Sequence, residues 1–266
     1  MISRIRKNIL LFILIPAWGF ASSLNDAIQS FEKDFSVSII YNQKIEDSWN
    51  NVFYEYCTDT TETVQYITLL HEQYLKYPAG YFQKVGLNTI ILGKNLRYGS
   101  QNRAAVPDPY KQHLFFSVDG SYGNNTHDYL VYVMHHELHH CTEYAIWKNM
   151  YYRWKPWQKA NPCFFRYGKG GATAYEHLDV NWGGMTHPRK GFINLYATTG
   201  QEEDRCEIMA VLLNEQQLSE LTRLAARDKK LRKKLRLLTG LLNDFTGNTD
   251  NYWTRTWLQV NTKKVG

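Results

Sequence analysis

Residues 135–140 read His-His-Glu-Leu-His-His, and this run constrains the chain more than any other feature. On a helix, residues four apart share a face. His136 and His140 can then offer neutral imidazole nitrogens to one zinc ion, with Glu137 beside them to take a proton from a water at that ion. A second pair, His135 and His139, has the same spacing, but a histidine rather than a glutamate follows His135. The His136/His140 register is therefore preferred. The other two histidines are expected to pack or hydrogen-bond on the flank of the helix.

The surrounding residues support a long helix. Asn124, Asn125 and Thr126 are N-cap candidates and Asp128 suits a first turn. No Gly or Pro interrupts Tyr129 to Lys148. Val133, His136, Glu137, His140, Tyr144 and Trp147 fall on one stripe, whose apolar members are expected in the core. Buried polar members of such a stripe need a partner, and a metal supplies one.

The N-terminus limits where the chain works. Arg4, Arg6 and Lys7 precede an apolar run from Ile9 to Ala17, and Gly19-Phe20-Ala21 offers small residues at the cleavage positions. This is the plan of a secretory signal peptide over 1–21, so an exported protein is expected: secreted, periplasmic or on the cell surface. No second stretch is long and apolar enough for a stable membrane span after signal removal. Residues 22–266 are expected to form one domain, with an N-terminal α/β part to about 150, an irregular insert over 149–190 and a helical part over 200–266.

Charge argues against a nucleic-acid partner. The formal net charge is +6, and removing 1–21 takes away three positive and no negative charges, leaving +3. The one dense basic run, Arg227 to Arg236 with leucines interleaved, reads as an amphipathic helix with a solvated basic face. Export permits disulfides among Cys57, Cys141, Cys163 and Cys206, and a Cys141–Cys206 bridge would tie the two candidate ligand helices together. No CxxC spacing points to cysteine as a zinc ligand.

Along the chain, helices are expected over Leu24–Phe35 and Thr60–Lys76, and strands over Val37–Tyr41, Leu87–Leu92 and His113–Val118. A Gly/Asn-rich turn then leads into the histidine helix. The insert is aromatic, with Tyr151, Tyr152, Trp154, Trp157, Phe164, Phe165 and Tyr167 ahead of Gly168-Lys169-Gly170-Gly171. It can shape a binding cleft or fill a satellite core.

A catalytic zinc usually has three protein ligands. Residues 141–150 contain no His or Gly, so a third histidine shortly after the motif is absent. The alternative is a carboxylate from a second helix. Glu203 and Glu207, four apart in Gln201–Glu207 ahead of the apolar Ile208–Leu213, share a face. One of them can bind zinc while the other steadies a ligand histidine through its second ring nitrogen. Glu202 and Asp204 suit the helix N-terminus instead.

The segment Gly191 to Glu207, containing Tyr196-Ala197-Thr198-Thr199 and Glu203-Asp204-Arg205-Cys206-Glu207, resembles the YAxTxxxEDxAE segment of a bacterial family of zinc-binding metallopeptidases that carry HHExxH upstream. The layout is also distantly similar to the catalytic domain of anthrax lethal factor, a gluzincin. The resemblance implies an α+β, zincin-like fold with a small mixed sheet, an active-site helix and a mainly helical C-terminal half. It implies Zn2+ held by His136, His140 and Glu203, with Glu207 behind a ligand histidine. It makes Glu137 the catalytic base and Tyr196 a donor to the oxyanion formed at the attacked carbonyl. The expected activity is hydrolysis of a protein or peptide substrate. Cys206 stands where the family has Ala. The rival expectation is a non-catalytic surface protein that keeps the fold and binds through the aromatic insert. The intact Glu137 argues against it.

Overall fold

The computed structural model describes residues 23–119, 126–176 and 180–262. The expected signal peptide and the N-cap candidates Asn124 and Asn125 lie outside them. The elements in chain order are α1 (Leu24–Phe35), β1 (Ser38–Ile40), β2 (Val52–Glu55), α2 (Thr60–Tyr74), α3 (Tyr81–Val85), β3 (Thr89–Tyr98), β4 (Gln101–Asn102), β5 (Ala105–Asp108), β6 (His113–Ser117), α4 (His127–Trp147), α5 (Lys155–Gln158), α6 (Gln201–Leu213), α7 (Leu218–Arg227), α8 (Lys229–Thr246) and α9 (Tyr252–Thr262). The architecture is mixed: a small sheet and its helices, then a mainly helical second half.

Local chemistry explains the helix starts. Ser23 and Asp26 form a reciprocal capping box on α1, each accepting from the other's backbone N–H. Asp59 caps α2 through the N–H groups of Thr61 and Glu62. Thr126 caps α4 by accepting from Tyr129 N–H.

The sheet runs β1-β3-β6-β5, with β1, β3 and β6 parallel and β5 antiparallel to β6. β2 and β4 pair with β3 in the antiparallel sense. Side chains alternate in strict period two. Ile90, Leu92, Leu114 and Phe116 face the main core with the helices, whereas Ile91, Val106 and Phe115 face a smaller cluster with Val52 and Leu96. β5 is the end strand of this path, so one side of its backbone is not covered by the sheet.

α4 packs beneath the sheet and against α6, every residue of which is buried. Met134, His135, Leu138, Cys141 and Thr142 form the deep face of α4. Of the apolar members of the expected stripe, Val133 joins the core, while the rest of the stripe turns towards a cleft. Its Tyr144 and Trp147 are only half-buried, packing on Tyr110 and Tyr152.

The basic run does not form a fully solvated face. Lys234 is completely buried, its Nζ donating to Asp204 Oδ2 at 2.6 Å and to the Gly191 carbonyl at 2.7 Å. Asp204 is thus not a helix-end acid in solvent. Its Oδ2 also accepts from Trp157 Nε1 at 2.8 Å and Tyr167 Oη at 2.7 Å. Through these contacts Trp157 and Tyr167 tie the insert to the core, whereas Tyr151, Tyr152 and Phe164 stay exposed. No described helix is long and apolar enough to cross a membrane.

Candidate metal centre

α4 and α6 bring three expected ligands together. His136 Nε2 lies 3.2 Å from His140 Nε2 and 3.2 Å from Glu203 Oε2, and His140 Nε2 lies 3.4 Å from the same oxygen. Three lone-pair donors this close, all buried, fit a shared cation better than one another. Metal–ligand bonds of about 2.0–2.1 Å in a tetrahedron place donors roughly 3.3 Å apart, so this triangle has the size of one tetrahedral face. Imidazole and carboxylate are also the donor types that zinc takes.

Glu207, one turn along α6, sits behind the triangle. Its Oε1 is 2.8 Å from His136 Nδ1, although the alignment is too bent for a good hydrogen bond. Asn194 Nδ2 donates to the other oxygen of Glu207, and Asn194 Oδ1 accepts from Ala197 N–H at 2.8 Å. Asn194 therefore ties Glu207 to the turn that carries Tyr196. Sequence reasoning missed Asn194, because a lone asparagine thirteen residues upstream carries no spacing signal.

Tyr196 opens a 3-10 turn, Tyr196–Thr198, just ahead of α6. Its ring centroid is 5.9 Å from that of His136. A Cβ on Gly171 would overlap both the Tyr196 hydroxyl and Glu203 Oε1, so these two groups lie side by side under the Gly168–Gly171 segment. That segment is held by Gly168 N–H to the Thr198 carbonyl at 3.0 Å and Gly170 N–H to the Thr199 carbonyl at 2.9 Å. Only a glycine allows the chain to pass this close.

Electrostatics follow the geometry. Burial pushes the Glu203 carboxyl up, but His140 and His136 overcome it and hold Glu203 well below the usual carboxylate range. Burial opposes protonation of His136, yet Glu203 and Glu207 raise it well above the ordinary histidine value. Glu137 is half-buried on the cleft side of α4, and burial pushes its carboxyl up against the pull of His136 and His140. It lines two adjoining cavities of about 350 and 280 Å3. Ala105, Val106 and Pro107 of the edge strand β5 form one wall of the larger.

The remaining histidines behave as flank residues. His135 Nδ1 is 2.9 Å from Tyr77 Oη and its Nε2 is 3.3 Å from Gln73 Oε1; burial keeps it neutral, well below its ordinary pKa. His139 lies 3.4 Å from Glu143. His187 is 2.9 Å from Asp228, so it is engaged outside the triangle.

Cys206 is a second neighbour of the two candidate ligand histidines. Ligand atoms of His136, His140 and Cys206 all lie within 4.8 Å of one another. Glu203 is the better-placed donor: it is charged and 3.2 and 3.4 Å away, whereas burial pushes the Cys206 thiol well up and keeps it neutral. All four cysteines are free, so the contemplated Cys141–Cys206 bridge is not formed.

No family model matches the chain, and no curated protein matches it in sequence. Among solved structures, a protein of Bacteroides caccae ATCC 43185 described as a "putative zinc-binding metallo-peptidase" is similar, with a TM-score of 0.52 over 89% of this chain and 90% of that one, at 16% identity. At that identity the likeness establishes a shared fold.

Proposed function

We propose that the chain is an exported zinc-dependent metallopeptidase of the gluzincin type, hydrolysing peptide bonds in a protein or peptide. The observation that carries this reading is the triangle of His136, His140 and Glu203, with edges of 3.2, 3.2 and 3.4 Å, opening onto a cleft that Glu137 lines. The shared fold with the Bacteroides protein is consistent with it. The basic-then-apolar pattern of residues 1–21 supports export.

His136, His140 and Glu203 would hold a zinc ion, which would supply Lewis acidity to a water and to the scissile carbonyl. The chain's own residues do the rest. Glu137 takes the proton of the attacking water on its carboxylate and passes it to the departing amine. The Tyr196 hydroxyl donates to the oxygen that gains charge as the carbonyl is attacked. Glu207 faces His136 Nδ1 and so favours the tautomer that leaves Nε2 free to bind metal. The open side of β5 can pair with an extended substrate by main-chain hydrogen bonds.

Glu137→Gln tests this directly. We expect an unchanged zinc content and a kcat lower by roughly 10²–10⁴. If the zinc-loaded wild type cleaves nothing in an unbiased peptide library, the non-catalytic binding protein takes the place of the enzyme.

A further inference from the structure

A second cavity lies beside the cleft of the candidate metal triangle. It has a volume of about 730 Å3 and is walled by the insert, the Gly168–Gly170 segment and the start of α6. Arg153, Lys155, Arg166 and Lys169 all line it. The four are exposed, and among the described residues none is in an ion pair. Glu202 is the one acid in the wall, nearly buried, with its carboxylate folded back over Gly200 at the helix start. The helix end is therefore already served by Glu202, and four cations remain for a ligand.

This cavity joins the central cleft, sharing Tyr151, Lys169 and Gly170 with it. The third cavity joins the same cleft elsewhere, through His136, Glu137 and Tyr196, and shares no residue with the basic one. Apart from the residues it shares with the cleft, its wall holds Asn181 and Glu207 but is mostly aromatic and apolar, with Tyr129, Tyr132, Val133, Ala174, Val180 and Trp182. A chain lying in the central cleft would reach positive charge at one end and apolar surface at the other.

We infer that the basic cavity is a specificity subsite for the acidic side chains of a peptide substrate, so that the preferred substrate carries Asp or Glu residues on one side of the scissile bond and a bulky apolar residue on the other. This rests on the peptidase reading for its chemistry, but the recognition does not need catalysis. Unpaired cations converging on a cavity give a favourable potential for a polyanionic segment. Several of them can each hold a carboxylate without the burial cost of a single desolvated pair. The attraction is largely exposed, so salt weakens it.

The test uses the full-length mature protein loaded with zinc. Mixed peptides are digested and read by mass spectrometry, then kcat/KM is measured for an acidic peptide and its Asn/Gln counterpart. We expect the acidic peptide to be favoured, and the acidic-to-neutral ratio to fall about tenfold or more in Arg153→Glu/Arg166→Glu and in high salt. Binding of the fluorescent acidic peptide to Glu137→Gln, followed by anisotropy, should weaken by a similar factor when the same two arginines are reversed. Cleavage with a ratio near one, or a ratio that the reversal leaves unchanged, overturns the subsite and leaves the peptidase standing. Binding that depends on the arginines, with no cleavage by the wild type, overturns the peptidase and keeps the subsite. Neither binding nor cleavage overturns both.

Discussion

On one side of α6, Asp204 meets Lys234 at 2.6 Å and Arg205 Nη2 meets Glu143 Oε2 at 2.7 Å. On the other side, Glu203 and Glu207 have only His136 and His140 as ion-pair partners among the described residues. In the first set each buried acid has a permanently or readily charged partner within the chain, and further donors such as Trp157 and Tyr167 share the load on Asp204 Oδ2. The second set is complete only if its histidines take protons or a cation arrives. One helix can therefore present buried acids to two different surroundings, one that locks the fold and one that suits an ion. The distinguishing sign is the partner type, lysine and arginine against imidazole.

The sharpest way to break this contrast is to remove a donor from the ion side. Glu203→Ala should lower zinc affinity by more than about 10³, since a direct ligand is worth more than its supports. Cys206→Ala should keep the full zinc content. Metal analysis with chelator titration reads both. Zinc retained in the first and lost in the second would hand the third position to the thiol.

The next effect lies on the locking side. Lys234→Met keeps the bulk of the side chain but leaves Asp204 buried without its cation, at a cost of about 3–5 kcal/mol in chemical denaturation. Zinc content should be unchanged where the variant is folded. Little loss of stability would mean that Lys234 and Asp204 are not the lock described above.

Glu207→Gln should weaken zinc binding by roughly 10–100-fold without abolishing it, because the change acts through His136 rather than on the ion. A loss equal to that of Glu203→Ala would erase the distinction between the two glutamates.

The smallest effect concerns pH at the start of α8. Burial pushes the Asp228 carboxyl up, but His187 and the N–H groups of Gly191, Leu231 and Lys230 outweigh it and hold it below its ordinary value of 3.8. A carboxyl whose folded pKa is depressed contributes stability above its unfolded value and loses it as pH falls through the folded one. Wild type should exceed Asp228→Asn by about 1 kcal/mol at pH 6, with the margin closing below about pH 4. A margin that is constant with pH would mean the contribution is not ionic.

Much of the candidate site was legible in the chain because local spacing encodes it. The i, i+4 pairs His136/His140 and Glu203/Glu207 need only a helix to share a face, and both helices form. α1 occupies Leu24–Phe35, the range expected of a short amphipathic helix there. The short strands β2, β4 and β5 were not legible, since two to four residues cannot display an alternation. The basic run misled for a related reason. Seven cations among leucines look like a solvated face, and nothing within the run shows that Lys234 has an aspartate waiting thirty residues upstream. The insert was equally ambiguous. Its aromatics read as core or as cleft, and the structure divides them: Trp157, Trp154 and Tyr167 join the core, Tyr151, Tyr152 and Phe164 are exposed, and its cations line a cavity beside the candidate metal triangle.

The amino-acid order alone determined which helices carry donors and which faces those donors share, because a helix is a local structure with a known repeat. Only tertiary packing decided that the two faces meet, that Glu203 rather than Glu207 reaches both imidazoles, and that Lys234 is buried. Those outcomes depend on contacts between residues 30 to 67 positions apart, whose free energies no local pattern contains.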